Sequence, residues 1–158
     1  TWNFPGNTRT VGGELVLEWF DGEYYPPEHI RKLATNDLKD YPPESSMIIG
    51  TEGSLLIPLG YPPQLLPEQK FKTVKAADLP PRNHYHHFVD ACLGGEQTES
   101  NFAQTGPMTE AILLGTVAIR VPGEKLRWDS TGLRFSECRA ADRYLRRQYR
   151  DGWHGTRF

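Results

Sequence analysis

Met47-Ile48-Ile49-Gly50-Thr51-Glu52-Gly53-Ser54-Leu55-Leu56-Ile57 places two apolar runs on either side of a short glycine-containing connection. Apolar runs this short, rich in branched side chains, suit strands. Gly53 offers positive φ for a tight reversal, so the stretch predicts an antiparallel hairpin. Upstream, Glu14-Leu15-Val16-Leu17-Glu18-Trp19-Phe20 alternates Leu15, Leu17 and Trp19 with Glu14, Val16, Glu18 and Phe20, the period of a half-buried strand, and Asp21-Gly22 ends it. Between the two, residues 23–45 are dominated by Tyr, Pro and charge and read as a long ordered loop with at most one helical turn around His29 to Leu33. Downstream, residues 58–82 carry six prolines and few periodic apolar positions. They are expected to wrap the surface without adding a core element.

Helical spacing begins after that. Asn83 suits an N-cap, Tyr85, Phe88, Val89 and Cys92 fall on one face, and Gly94-Gly95 suits a C-terminal stop. Pro107 suits a first helical position, with Ile112, Leu113, Thr116, Val117 and Arg120 continuing for about four turns to Pro122. Leu126-Arg127-Trp128 and Leu133-Arg134-Phe135 flank Asp129-Ser130-Thr131-Gly132 as a second hairpin. A short amphipathic helix from Ser136 or Glu137, with Ala141, Tyr144, Leu145 and Tyr149 on its apolar face, closes the chain before Gly152. Strand–helix–strand alternation is missing, so the order predicts an α+β fold: an open, mainly antiparallel sheet with helices packed on one face, two layers in a single domain over residues 1–158.

The 158 residues, 37% hydrophobic and 24% charged with a mean hydropathy of -0.59, have the composition of a globular chain. No apolar run nears the roughly 20 residues of a membrane helix. Net charge -2 and a pI near 6.2 argue against a phosphate-backbone binder. The arginines at 139, 143, 146, 147 and 150 read as a solvated or interface helix, so no nucleic acid is expected. Cys92 and Cys138 make no disulfide framework and no zinc pattern, which predicts buried free thiols and a cytoplasmic protein. The chain opens on Thr1 rather than Met, and a fragment of something longer is the expectation.

Gly12-Gly13 and Gly94-Gly95 do not make the Gly-x-Gly-x-x-Gly turn that sets a pyrophosphate on a helix N-terminus, and no Gly-Lys-Ser/Thr loop occurs. Nor is there a Gly-x-Ser-x-Gly elbow. His84-Tyr85-His86-His87 is the densest titratable cluster. His84 and His87, three apart, supply two metal ligands at best, so helix-start capping or the polar rim of a cleft is preferred over a metal. Trp19, Tyr24, Tyr25, Tyr41, Tyr61 and Tyr85 lie at strand ends and in proline-rich loops, where rings stack on polyhydroxylated ligands or simply anchor the loop.

Taken in order, Trp19-Phe20-Asp21-Gly22, Ile48 to Leu55, His84 to Ala91 with Gly94-Gly95, Ser100-Asn101-Phe102, Thr109 to Arg120, Leu126 to Asp129 and Tyr149 to Trp153 resemble the C-terminal part of the glucose-fructose oxidoreductase / inositol dehydrogenase / MocA family. The resemblance spans nearly the whole chain. It implies one half of an NAD- or NADP-dependent oxidoreductase acting on a sugar or polyol by hydride transfer. The nucleotide-binding Rossmann domain and the proton-transfer residues would lie outside this chain, which alone would be inactive and hold no cofactor or metal. It also implies an open antiparallel sheet that forms homo-oligomer contacts through its face, and substrate contacts from Tyr41, Asn83, His84 and His86. The alternative kept beside it is a stand-alone carbohydrate-binding or protein-interaction module.

Overall fold

The computed structural model describes residues 1–153, and the chain divides into two compact units, Thr1–Pro80 and Pro81–Phe158.

In the first unit β1 (Trp2–Pro5) pairs antiparallel with β2 (Glu14–Leu17), Trp2 opposite Leu17 and Pro5 opposite Glu14. The predicted strand at Glu14 is therefore present, shorter than its alternation, with Trp19 and Phe20 beyond the ladder. Its predicted half-burial is not realised: Leu15, Val16 and Leu17 are all exposed, because nothing in this unit covers either face of the ribbon. A helical turn, α1 (Glu28–Arg31), falls where one was expected. A 3-10 turn, Leu38–Asp40, capped by the Asp37 carboxylate on the Lys39 N–H, then delivers Tyr41 to a buried position.

The decisive hairpin forms as β3 (Ser45–Ile49) and β4 (Ser54–Pro58), with Ile49 opposite Ser54 and Ser45 opposite Pro58. Alternation becomes burial here: Ser54, Leu56 and Pro58 point inward. Gly53 plays a different part from the one predicted, for its φ is not positive. A Cβ at Gly53 would stand on the Leu66 carbonyl and 2.5 Å from the Phe71 ring, so the residue is glycine because two neighbours close on it. Those neighbours correct the reading of residues 58–82. Gln64–Leu66 is a third antiparallel strand, β5, on β4, followed by α2 (Glu68–Phe71), and Leu66 is buried. Pro63 and Pro67 flank β5 without entering it, so its N–H groups remain available to the ladder. Lys70 ties α2 back to the hairpin connection through the Glu52 carbonyl and carboxylate, both at 2.6 Å.

The second unit contains α3 (His84–Cys92), α4 (Phe102–Ala118), the hairpin β6 (Trp128–Asp129) and β7 (Arg134–Phe135), and α5 (Arg139–Asp142). Val117 of α4, Phe135 of β7 and Ala141 of α5 form its core, with Leu114, Trp128, Tyr144 and Leu145 packed around them. Trp128 and Phe135 meet edge to face, centroids 5.1 Å apart. Asp129 holds the connection by accepting from the N–H groups of Thr131 and Gly132 at 3.1 and 2.9 Å. Its carboxyl lies below the ordinary aspartate range, first through the Gly132 N–H bond and, against desolvation, through that of Thr131 and the charge of Arg134.

Three expectations change in this unit. Helix α4 begins five residues before Pro107, because Asn101 caps it by accepting from the Gln104 N–H at 3.2 Å; Pro107 lies inside, where it offers no N–H to the Ala103 carbonyl. The last helix reduces to α5, and Tyr149 is exposed. Cys92 is exposed rather than buried, as are Tyr85, Phe88 and Val89, since the core gathers on α4 and not on α3.

The fold is thus α+β, and every strand pairing among the described residues is antiparallel. The strands form three small sheets of two, three and two strands where one open sheet was predicted. Much surface is left uncovered. The chain exposes 14283 Å², whereas two separate compact units of about 9 kDa would together expose about 9,700 Å². Among the described residues no helix is long and apolar enough to cross a membrane.

Candidate functional site

Arg82 and Asn83 stand at the start of α3 and set the geometry of a cleft of about 420 Å³ that they line with Pro81, His86, His87, Asp90 and Glu96. Asn83 Oδ1 accepts from the backbone N–H groups of Tyr85 and His86, both at 3.0 Å, which satisfies two of the orphan donors of the first turn and fixes the cap. One helical turn beyond the cap His86 and His87, and two turns beyond it Asp90, reach the same cleft. The other wall comes from the end of the helix. Gly94 adopts φ 91, the Gly95 N–H donates to the Asp90 carbonyl at 2.9 Å, and the chain reverses so that Glu96 and Glu99 return to Arg82.

Arg82 is the hub. Its Nη1 donates to Glu99 Oε1 at 2.6 Å and lies 3.3 and 3.4 Å from the ring nitrogens of His87, while its Nη2 is 3.6 Å from Glu96 Oε2. His87, whose side chain is only 12% exposed, completes the triangle with Nδ1 3.7 Å from Glu99 Oε2. The Glu99 carboxyl is held below the ordinary glutamate range, first by a hydrogen bond at its own backbone N–H and then, against desolvation, by the Arg82 guanidinium. A guanidinium, an amide, two imidazoles and carboxylates within one small concavity present donors and acceptors at fixed points, which is what a polyhydroxylated ligand requires.

Of the residues singled out from sequence, Asn83 and His86 line this cleft. His84 does not line it and instead meets the Tyr85 ring edge-on at 5.4 Å. Tyr41 belongs to the first unit, where it is buried. Sequence reasoning passed over Arg82, Glu96 and Glu99. The signal available was the charge flanking the cap and the Gly94-Gly95 reversal, which returns the residues after the helix toward its beginning. Among the described residues no group of three or more His, Cys, Asp or Glu side chains is placed to hold a metal ion.

Neither glycine pair makes a dinucleotide-binding turn. Gly12-Gly13 precedes β2 instead of following a strand into a helix, and Gly94-Gly95 follows a helix. No family model, no curated protein and no solved structure matches the chain.

Proposed function

We propose that this chain is the C-terminal substrate-binding and oligomerisation domain of an NAD(P)-dependent oxidoreductase acting on a sugar or polyol, of the glucose-fructose oxidoreductase / inositol dehydrogenase / MocA type. The observation that carries the reading is the cleft at the start of α3. It lies in one of the segments from which the resemblance draws substrate contacts, and it offers charged and neutral hydrogen-bonding groups without a metal set. Asn83, His86 and Arg82 would bind and orient hydroxyl groups. The nicotinamide and the proton-transfer residues would come from a Rossmann domain outside these residues, and hydride transfer would not occur on this chain alone. Self-association is supported by the uncovered ribbon β1–β2, whose Leu15, Val16 and Leu17 are exposed, and by the roughly 4,600 Å² of surface in excess of two compact units. Cys92 and Cys138, both free, suit a reducing compartment such as the cytoplasm.

The exposed rings of Tyr24, Tyr61 and Tyr85 favour a second reading, a stand-alone carbohydrate-binding module. The discriminating experiment assays the product of the complete gene for bound nicotinamide and for oxidation of a sugar and polyol panel, and titrates this chain with the same panel. Nicotinamide binding with oxidation of one panel member is the expected result, with binding by this chain weakened at least about tenfold in His86→Ala. Saturable sugar binding by a gene product that takes no nicotinamide would replace the proposal with the module.

A further inference from the structure

The second unit holds another concavity, apolar where the first is polar, and it stands independently of the reading above. A groove of about 560 Å³ runs along α4, with Leu113, Leu114, Trp128, Tyr144 and Leu145 among its walls. That volume is in the range of small-molecule sites. Into this apolar lining is set one carboxylate, Glu110, half-buried, whose Oε1 accepts from the Trp128 indole N–H at 2.7 Å. The bond anchors the carboxylate. Among the described residues no Lys, Arg or His pairs with Glu110.

A half-buried carboxylate set among apolar walls is complemented by a cation that carries an apolar body. We propose that this groove binds an organic ammonium ion, a primary amine carrying an aromatic or aliphatic body, with the ammonium on Glu110 and the body against Leu113, Leu114 and Trp128. The alternatives fail on chemistry. A metal ion would need more ligands than one carboxylate, an anion placed at Glu110 would be repelled, and a neutral apolar ligand would leave the charge without a counter-ion. At the Tyr144 end the guanidiniums of Arg120 and Arg143 stack on the ring, 5.4 and 4.6 Å from its centroid, and their charge keeps a cation at the Glu110 end.

The test follows the indole N–H resonance of Trp128, assigned by its loss in Trp128→Phe, during titration of the chain with 2-phenylethylammonium and with the isosteric neutral alcohol 2-phenylethanol. The expected result is a saturable shift with the ammonium, binding at least about tenfold tighter than the alcohol. Glu110→Gln, which keeps an acceptor for the indole, should abolish that preference. Equal affinities for ammonium and alcohol, no shift with either, or undiminished preference in Glu110→Gln would overturn the assignment. If the variant does not fold, the comparison of the two ligands on the unaltered chain decides the matter.

Discussion

The ribbon β1–β2 and the sheet β3–β4–β5 are both built from short alternating stretches, yet only one of them buries its apolar residues. In β4, Leu56 is 3% exposed, whereas in β2 Leu17 is 43% exposed. The difference lies outside the strands themselves. β4 has a partner on each edge, and Phe71 of α2 closes against Gly53 at its start. β2 has one partner, β1, and nothing on either face within its unit. Alternation therefore reports that a residue stretch is extended, while burial reports that a third element has arrived, and two strands alone rarely hold together in water.

The contrast can be broken most forcefully at Leu56. At protein concentrations too low for self-association, Leu56→Ala should destabilise the first unit by about 2–4 kcal/mol through lost burial and the cavity left behind, while Leu17→Ala should cost less than about 0.5 kcal/mol. Denaturant unfolding of the two variants measures both, and equal losses would mean that the ribbon is covered in solution. Glycine supplies the next comparison. Gly53→Ala forces a methyl group onto the Leu66 carbonyl and the Phe71 ring, with an expected loss of about 1–3 kcal/mol. Gly13, between β1 and β2, has nothing within 4 Å of the same added atom and no positive φ, so Gly13→Ala should be close to neutral. The smallest effect is electrostatic. Lys70 lowers the Glu52 carboxyl below its ordinary value, first through their hydrogen bond and then through its charge. A depressed folded-state value means that the contribution is present above the unfolded value near 4.5 and is lost as pH falls through the folded one. The difference in unfolding midpoint between the unaltered chain and Glu52→Gln should accordingly be small at pH 7 and vanish as pH falls through the lowered folded-state value.

Much of the local structure was legible because it rests on neighbours in sequence. The hairpin at Met47–Ile57 follows from its two apolar runs and the glycine connection, and Asn83 announces α3 because an amide side chain at that place satisfies the first free N–H groups. Misreadings arose where a local preference was overruled by a competing local or tertiary interaction. Pro107 suits a helix start, but Asn101 provides a capped start earlier and the helix runs through the proline. β5 was hidden because only three residues between two prolines pair with β4. The candidate site divides in the same way. Asn83 and His86 were visible as a cap and a histidine cluster, whereas Arg82, Glu96 and Glu99 meet only because the chain turns back after Gly94.

By itself the sequence determined the extended and helical stretches, the caps, the α+β character and the lack of a glycine-rich nucleotide turn, since each depends on backbone preference and side-chain spacing within a few residues. Tertiary structure alone decided which apolar faces are covered, that the strands form three small sheets, and that one carboxylate, Glu110, stands in an apolar groove beside Trp128. The physical reason is that burial and charge compensation are set by groups distant in the chain, whose approach no local pattern encodes.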